Sequence, residues 1–171
     1  MKRRVLFLSG ISGMLFHAAA QERPALSEPH PREATEWIVS YAYQANDARL
    51  PRVLLIGDSI CNGYSKEVCQ ELAGKAYVTF FATSKCVCDA SYLRALAFFL
   101  DEADYAVIHF NNGLHSLSSN RRDWEACLRA AIRLIKGKRR GAKLFWASST
   151  PLKNPQLTEK AKELNAIAAR V

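Results

Sequence analysis

The sequence predicts an α/β fold, a three-layer α/β/α arrangement in which helices cover both faces of a parallel sheet. Three observations carry that reading. Short apolar runs rich in branched and aromatic residues recur at 52–57, 76–81, 105–110 and 143–149. The segments between them place apolar residues at helical spacing. Glycine, proline or asparagine marks most of the junctions. Runs without polar alternation are what strands buried on both faces require. At 171 residues the chain is one domain at most, and long enough for a real core.

The start of the chain reads differently. Lys2, Arg3 and Arg4 precede a short apolar run, Val5 to Phe16, and Ala18-Ala19-Ala20 offers a small-residue cleavage site. Residues 1–20 are therefore expected to be a secretory signal peptide, with an uncleaved anchor as the alternative. The expected location is secreted or periplasmic. No later run is long and apolar enough to span a bilayer, so no stable membrane insertion is expected after cleavage. Residues 21–31, with Pro24, Pro29 and Pro31, read as an extended linker, and 32–171 as the folded domain.

Within that domain Trp37, Ile38, Tyr41 and Ala42 have helical spacing, and a helix is expected over 32–45. The first strand, 52–57, breaks at Gly57, and a turn to Gly63 leads into a helix over 64–74. The second strand, 76–81, gives way to a cysteine-bearing loop over 82–89. Tyr92, Leu93, Leu96, Phe99 and Leu100 mark the next helix, with Asp89 or Ser91 as its cap. The third strand, 105–110, runs into Asn111-Asn112-Gly113-Leu114-His115. A helix over 122–136 follows, then the fourth strand, 143–149, and a last helix from Leu157 or Thr158. A flavodoxin-like order, 2-1-3-4, puts the first strand in the middle of the sheet.

The net charge of +8 falls to +5 once three basic and no acidic residues leave with the signal segment. Much of the remainder lies in Arg121-Arg122 and in 136–143, read as a solvated helix end and turn. No aromatic residues interleave with that cluster as a stacking platform needs, so no nucleic-acid partner is expected. The cysteines are Cys61, Cys69, Cys86, Cys88 and Cys127. An odd number leaves at least one unpaired, and a link from Cys61 to Cys86 or Cys88 is the favoured pairing. A lone Cys-x-Cys lacks zinc-ligand spacing, and no metal is expected.

In a parallel sheet the loops after the strands gather on one edge. They supply Ser59, then Thr83-Ser84-Lys85, then Asn111 to His115. A serine hydroxyl needs a base for its proton and donors for an oxyanion. The Ser59 N–H, at a helix start, is one such donor. Asp58 reads as a turn residue bonding local backbone N–H groups. His109 reads as a core residue; the rival reading makes His109 or His115 the base. The first turn carries neither a Gly-x-Gly-x-x-Gly fingerprint nor a P-loop lysine, which weakens a nucleotide-binding reading.

Gly57-Asp58-Ser59-Ile60, at the end of an apolar strand, resembles the first block of the SGNH or GDSL hydrolases, a family of serine esterases. The likeness covers about residues 50–170. It implies a secreted esterase that hydrolyses acyl esters, acetyl esters first, with a carbohydrate ester or another small molecule as substrate. It implies an acyl-enzyme on Ser59 and no metal or organic cofactor. The family's third block, Gly-x-Asn-Asp, supplies an oxyanion-hole asparagine. Its nearest match, Gly113-Leu114-His115-Ser116, places His115 there, and Asn112 serves under a shifted alignment. The second block's glycine has no counterpart between Gly74 and Gly113, and Lys85 or Cys86 backbone stands in for it. The family's Asp-x-x-His block follows a fifth strand. Here no Asp follows Asp123 and no His follows His115, so a chain truncated before that strand is expected, with the fourth strand as an open edge. The alternative is an SGNH-like domain that binds without turnover.

Overall fold

The computed structural model describes residues 23–171, so the expected signal segment lies outside the described residues. Five strands form one sheet: β1 (Ile38–Ala42), β2 (Arg52–Gly57), β3 (Tyr77–Thr83), β4 (Val107–Phe110) and β5 (Lys143–Trp146). Their order is β1-β3-β2-β4-β5. The pairs β3–β2, β2–β4 and β4–β5 are parallel, which reproduces the expected 2-1-3-4 order of the four core strands. Helices α1 (Ser59–Glu71), α2 (Tyr92–Asp101), α3 (Arg121–Lys138) and α4 (Pro155–Ala168) link or follow the strands.

The fifth strand is not where a fifth strand was expected. Residues 32–45 form no helix; Ile38–Ala42 is β1, antiparallel to β3 at the opposite edge. The segment Ile-Val-Ser-Tyr-Ala is rich in branched and aromatic residues, which fit a pleated, half-buried edge. The helical spacing is incidental, since Ile38 and Tyr41 remain exposed. At the other edge, β5 pairs only with β4 among the described residues.

Strand parity assigns the two faces. Leu54, Ile56, Phe81, Ile108 and Phe110 point into a large core closed by α2, α3 and α4, whose buried residues include Leu96, Trp124, Leu128, Ile135 and Leu164. Leu55, Val78, Phe80 and Ala82 point the other way, into a smaller cluster beneath α1 with Cys61, Tyr64 and Val68. Burying large side chains on the first face supplies most of the driving force, at ~25 cal/mol per Å² of apolar surface.

Residues 23–37 have no helix or strand, yet they dock along the domain. Ser27 donates through its N–H (2.8 Å) and hydroxyl (2.7 Å) to Asp123. His30 Nδ1 meets the Ser119 hydroxyl at 3.0 Å. Glu36 pairs with Arg32 and Lys85, and those hydrogen bonds hold its carboxyl down, at about 2. The proline-rich stretch is thus an ordered strap across the loops that follow β3 and β4.

Candidate active site

Ser59 is the first residue of α1, directly after β2 and the cap residue Asp58. The expected turn to Gly63 is absent because the helix starts at once. Gly57 permits this: a Cβ there would sit 2.5 Å from Cys61 Cβ, so a side chain would push the helix off the strand end. Asp58 Oδ1 accepts the Ile60 N–H at 2.9 Å and caps the helix. Its other oxygen is buried without a hydrogen-bond partner. Ser59 is exposed. Its N–H belongs to the first helical turn, whose donors have no partner inside the helix and which carries the positive end of the helix dipole.

Beside Ser59 lies a cavity of about 130 Å³. Its wall includes both chain neighbours of Ser59, Asp58 and Ile60, together with Tyr64, His109, Asn111 and Ser149. His109, read from sequence as a core residue, faces this cavity from the middle of β4. Its Nδ1 is 3.5 Å from the Tyr64 hydroxyl, and burial lowers its pKa, which favours the neutral ring. Burial likewise pushes the Tyr64 hydroxyl well above its ordinary value. Asn111 donates to the Ala147 carbonyl and lies 3.4 Å from the Ser149 hydroxyl. Gly113 packs so close to Ser149 that a Cβ would come within 1.8 Å of its Oγ. The loop after β4 is thereby fastened to the end of β5.

The two other sequence-derived site residues have different surroundings. Asn112 is buried and holds the loop after β3. Its amide donates to the Lys85 carbonyl at 2.9 Å, and its Oδ1 accepts from Val87 N–H (2.8 Å) and the Ser116 hydroxyl (3.0 Å). Those bonds make it a brace between the loops. Asn111, not Asn112, reaches the cavity, and two adjacent asparagines carry no local signal to choose between them. His115 is half-buried, pairs through Nδ1 with Glu33 of the strap and lies edge-on to Trp37. Among the described residues no imidazole is hydrogen-bonded to Ser59 Oγ. Of the stand-ins for the missing glycine, the Lys85 N–H is already taken by Thr83 Oγ1 at 3.1 Å.

Two comparisons return nothing: no family model matches the chain, and no curated protein does. Solved structures are more informative. The chain is similar to the crystal structure of TesA, with a TM-score of 0.52 and 18% identity over 70% of this chain and 73% of that one. The fold is that of the SGNH hydrolases. Within the SGNH fold Ser59 stands after a central strand, at the edge where open α/β sheets place ligands. Among the described residues no three His, Cys, Asp or Glu side chains converge as a metal site. No described helix is long and apolar enough to cross a membrane.

Proposed function

We propose that this chain is a secreted SGNH-type esterase that cleaves acyl esters, acetyl esters first, of a carbohydrate or another small molecule, through an acyl-enzyme on Ser59. The observation that carries this is the placement of Ser59: exposed, at the first position of a helix, after a central strand, beside a small cavity. Ser59 Oγ attacks the ester carbonyl, and the Ser59 N–H at the helix start stabilises the oxyanion. Water then releases the acyl group. A cavity of about 130 Å³ has room for an acetyl group. In this reading Asn111 and His109 are the polar wall of the cavity, Asn112 fixes the loops behind it, and His115, oriented by Glu33, is the second imidazole on that edge of the sheet.

The second reading, a binding domain without turnover, is favoured by one specific observation: no imidazole is hydrogen-bonded to Ser59 Oγ among the described residues. Hydrolysis of an activated acetate ester by the purified chain, with Ser59→Ala as control, separates the two. The esterase reading expects turnover that Ser59→Ala abolishes, and labelling of Ser59 by a phosphonate ester. A fall of ~10²-fold or more in kcat for His115→Gln makes that imidazole the base. Equal rates for wild type and Ser59→Ala, with no labelling, refute the esterase.

A further inference from the structure

The buried thiols lie apart. Cys61 belongs to the cluster under α1, and Cys86 and Cys88 to the large core on the other face, so the expected link between them has no support in the structure. The edge of the sheet opposite Ser59 holds a more telling feature. A cavity of about 580 Å³ opens there, within the ~300–1,000 Å³ usual for ligand sites. Its walls come from the chain before β2, the start of β3 and the turn after α1, with Leu50, Tyr77 and Gly74 among them. The six residues of β2, at ~3.3 Å each, put about 20 Å between this cavity and Ser59.

A buried cation holds one wall in shape. Arg52 is 8% exposed and donates to the Tyr43 carbonyl at 2.8 Å and the Gln44 carbonyl at 2.7 Å. Its guanidinium also lies 5.4 Å from the centre of the Tyr77 ring. Gln44 has a φ of +46°, the one non-glycine residue in the left-handed region among the described residues, and the surrounding bonds sustain that strain. Tyr43, Gln44, Asp47, Arg49 and Tyr77 line the cavity. Asp47 and Arg49 are its acid and its base. Arg49 Nε lies 3.0 Å from both Asp47 oxygens, so the wall carries no net charge. Beside Tyr43 on β1, Tyr41 is 60% exposed; the two rings are 6.2 Å apart, with planes within 24° of parallel.

We propose that this cavity and the Tyr41–Tyr43 surface form a saccharide-binding site that holds a neutral pyranose chain. A pyranose has an apolar C–H face and a rim of hydroxyls. The tyrosine rings offer flat faces to the first. The Asp47 carboxylate accepts from the second, the Arg49 guanidinium donates to it, and the Gln44 amide does both. A fatty chain would bury that polar wall without partners, and an anion would meet Asp47. Tyr41 continues the aromatic surface outside the cavity, which suits a chain better than a single sugar. The site does not depend on the esterase reading. If both hold, one carbohydrate chain is gripped here while a different unit of it reaches Ser59.

Xylohexaose, mannohexaose and cellohexaose are titrated into the full chain, with saturation-transfer NMR to detect contact and calorimetry to measure affinity. Saturable binding of at least one is expected. Tyr43→Ala is expected to weaken it at least ~10-fold, and Tyr43→Phe, which keeps the ring, no more than ~3-fold. Arg49→Ala removes an exposed side chain and is expected to weaken it as well, which keeps the test decisive where a tyrosine variant fails to fold. Ser59→Ala is expected to bind as wild type does, so failure of the esterase reading leaves this result untouched. No transfer to any of the three sugars overturns the proposal, as does binding that survives both Tyr43→Ala and Arg49→Ala. Binding lost in Ser59→Ala would place the sugar beside Ser59 and overturn it too.

Discussion

The two faces of the sheet are built from the same strands, yet they are closed very differently. The row Phe81, Ile56, Phe110 on the large-core face is almost fully buried, and Trp146 extends it against Phe110 and Trp124. The adjacent row runs Tyr41, Phe80, Leu55, His109, Phe145 across all five strands toward α1. Phe80 and Leu55 are buried, but Tyr41 is 60% and Phe145 54% exposed at the two ends. One helix covers the middle of that face and leaves its margins open. The contrast shows a division of labour: the closed face holds the domain together, and the thinly covered one leaves room for a cavity beside Ser59.

If that division is right, truncating an aromatic side chain costs far more on the closed side than at the open margin. Trp124 is fully buried, and Trp124→Ala is expected to destabilise the domain by ~3–5 kcal/mol. Phe145→Ala removes a ring more than half in solvent and is expected to cost under ~1 kcal/mol. Urea denaturation of both variants measures this. Similar losses would mean that Phe145 is covered in solution.

The seam between the faces, at the start of α1, gives the next largest effect. Gly57→Ala puts a methyl group 2.5 Å from Cys61 Cβ, a backbone-anchored neighbour that cannot swing away. A loss of ~1–3 kcal/mol is expected, with Ser59 displaced and any esterase activity falling further than stability. Gly113→Ala meets Ser149 Oγ instead, the end of a side chain, so Ser149→Ala is expected to recover much of its loss.

The closed face is the legible part of the sequence. Runs rich in apolar residues such as Val53–Ile56 and Tyr77–Phe81 announce strands buried on both sides, and the flavodoxin-like pattern supplies their order. Ser59 is legible because strand, glycine and serine lie within three residues of one another. What stays hidden depends on partners distant in sequence. Ile38–Ala42 carries a spacing compatible with a helix, and only pairing with the β3 backbone, from Thr79 to Thr83, makes it a strand. The strap residues His30 and Glu33 carry no local signal, since their partners Ser119 and His115 lie more than eighty residues away. Asn112 reads as a site residue because its loop is correctly placed, but side-chain direction within the loop decides its role.

The faces also respond to acid in opposite senses. His109, under α1, has a lowered pKa because burial disfavours the imidazolium, with Tyr64 as its polar neighbour. Its contribution is full above the unfolded value of about 6.5 and is lost as pH falls through the lowered folded value. His30, on the other face, is raised by its bond to Cys86, with Asp89 and Glu33 adding to the effect. Its contribution is full below about 6.5 and is lost as pH rises through the raised folded value. Denaturation midpoints between pH 5 and 8 are expected to fall less on acidification in His109→Gln than in wild type, and to fall more in His30→Gln.

The smallest expected change in stability tests the open margin itself. Among the described residues β5 is an edge strand with Phe145 exposed beside unpaired backbone groups, the arrangement that favours pairing with another chain. Phe145→Lys places a charge there without touching the core. Its effect on the urea midpoint is expected to be within ~0.5 kcal/mol. Sedimentation velocity over a concentration series is expected to show self-association in wild type that weakens in the variant. A wild type that stays monomeric at high concentration would show that this edge is already protected. The thin face would then owe its openness to the reach of α1 alone, with no tendency to recruit a second sheet.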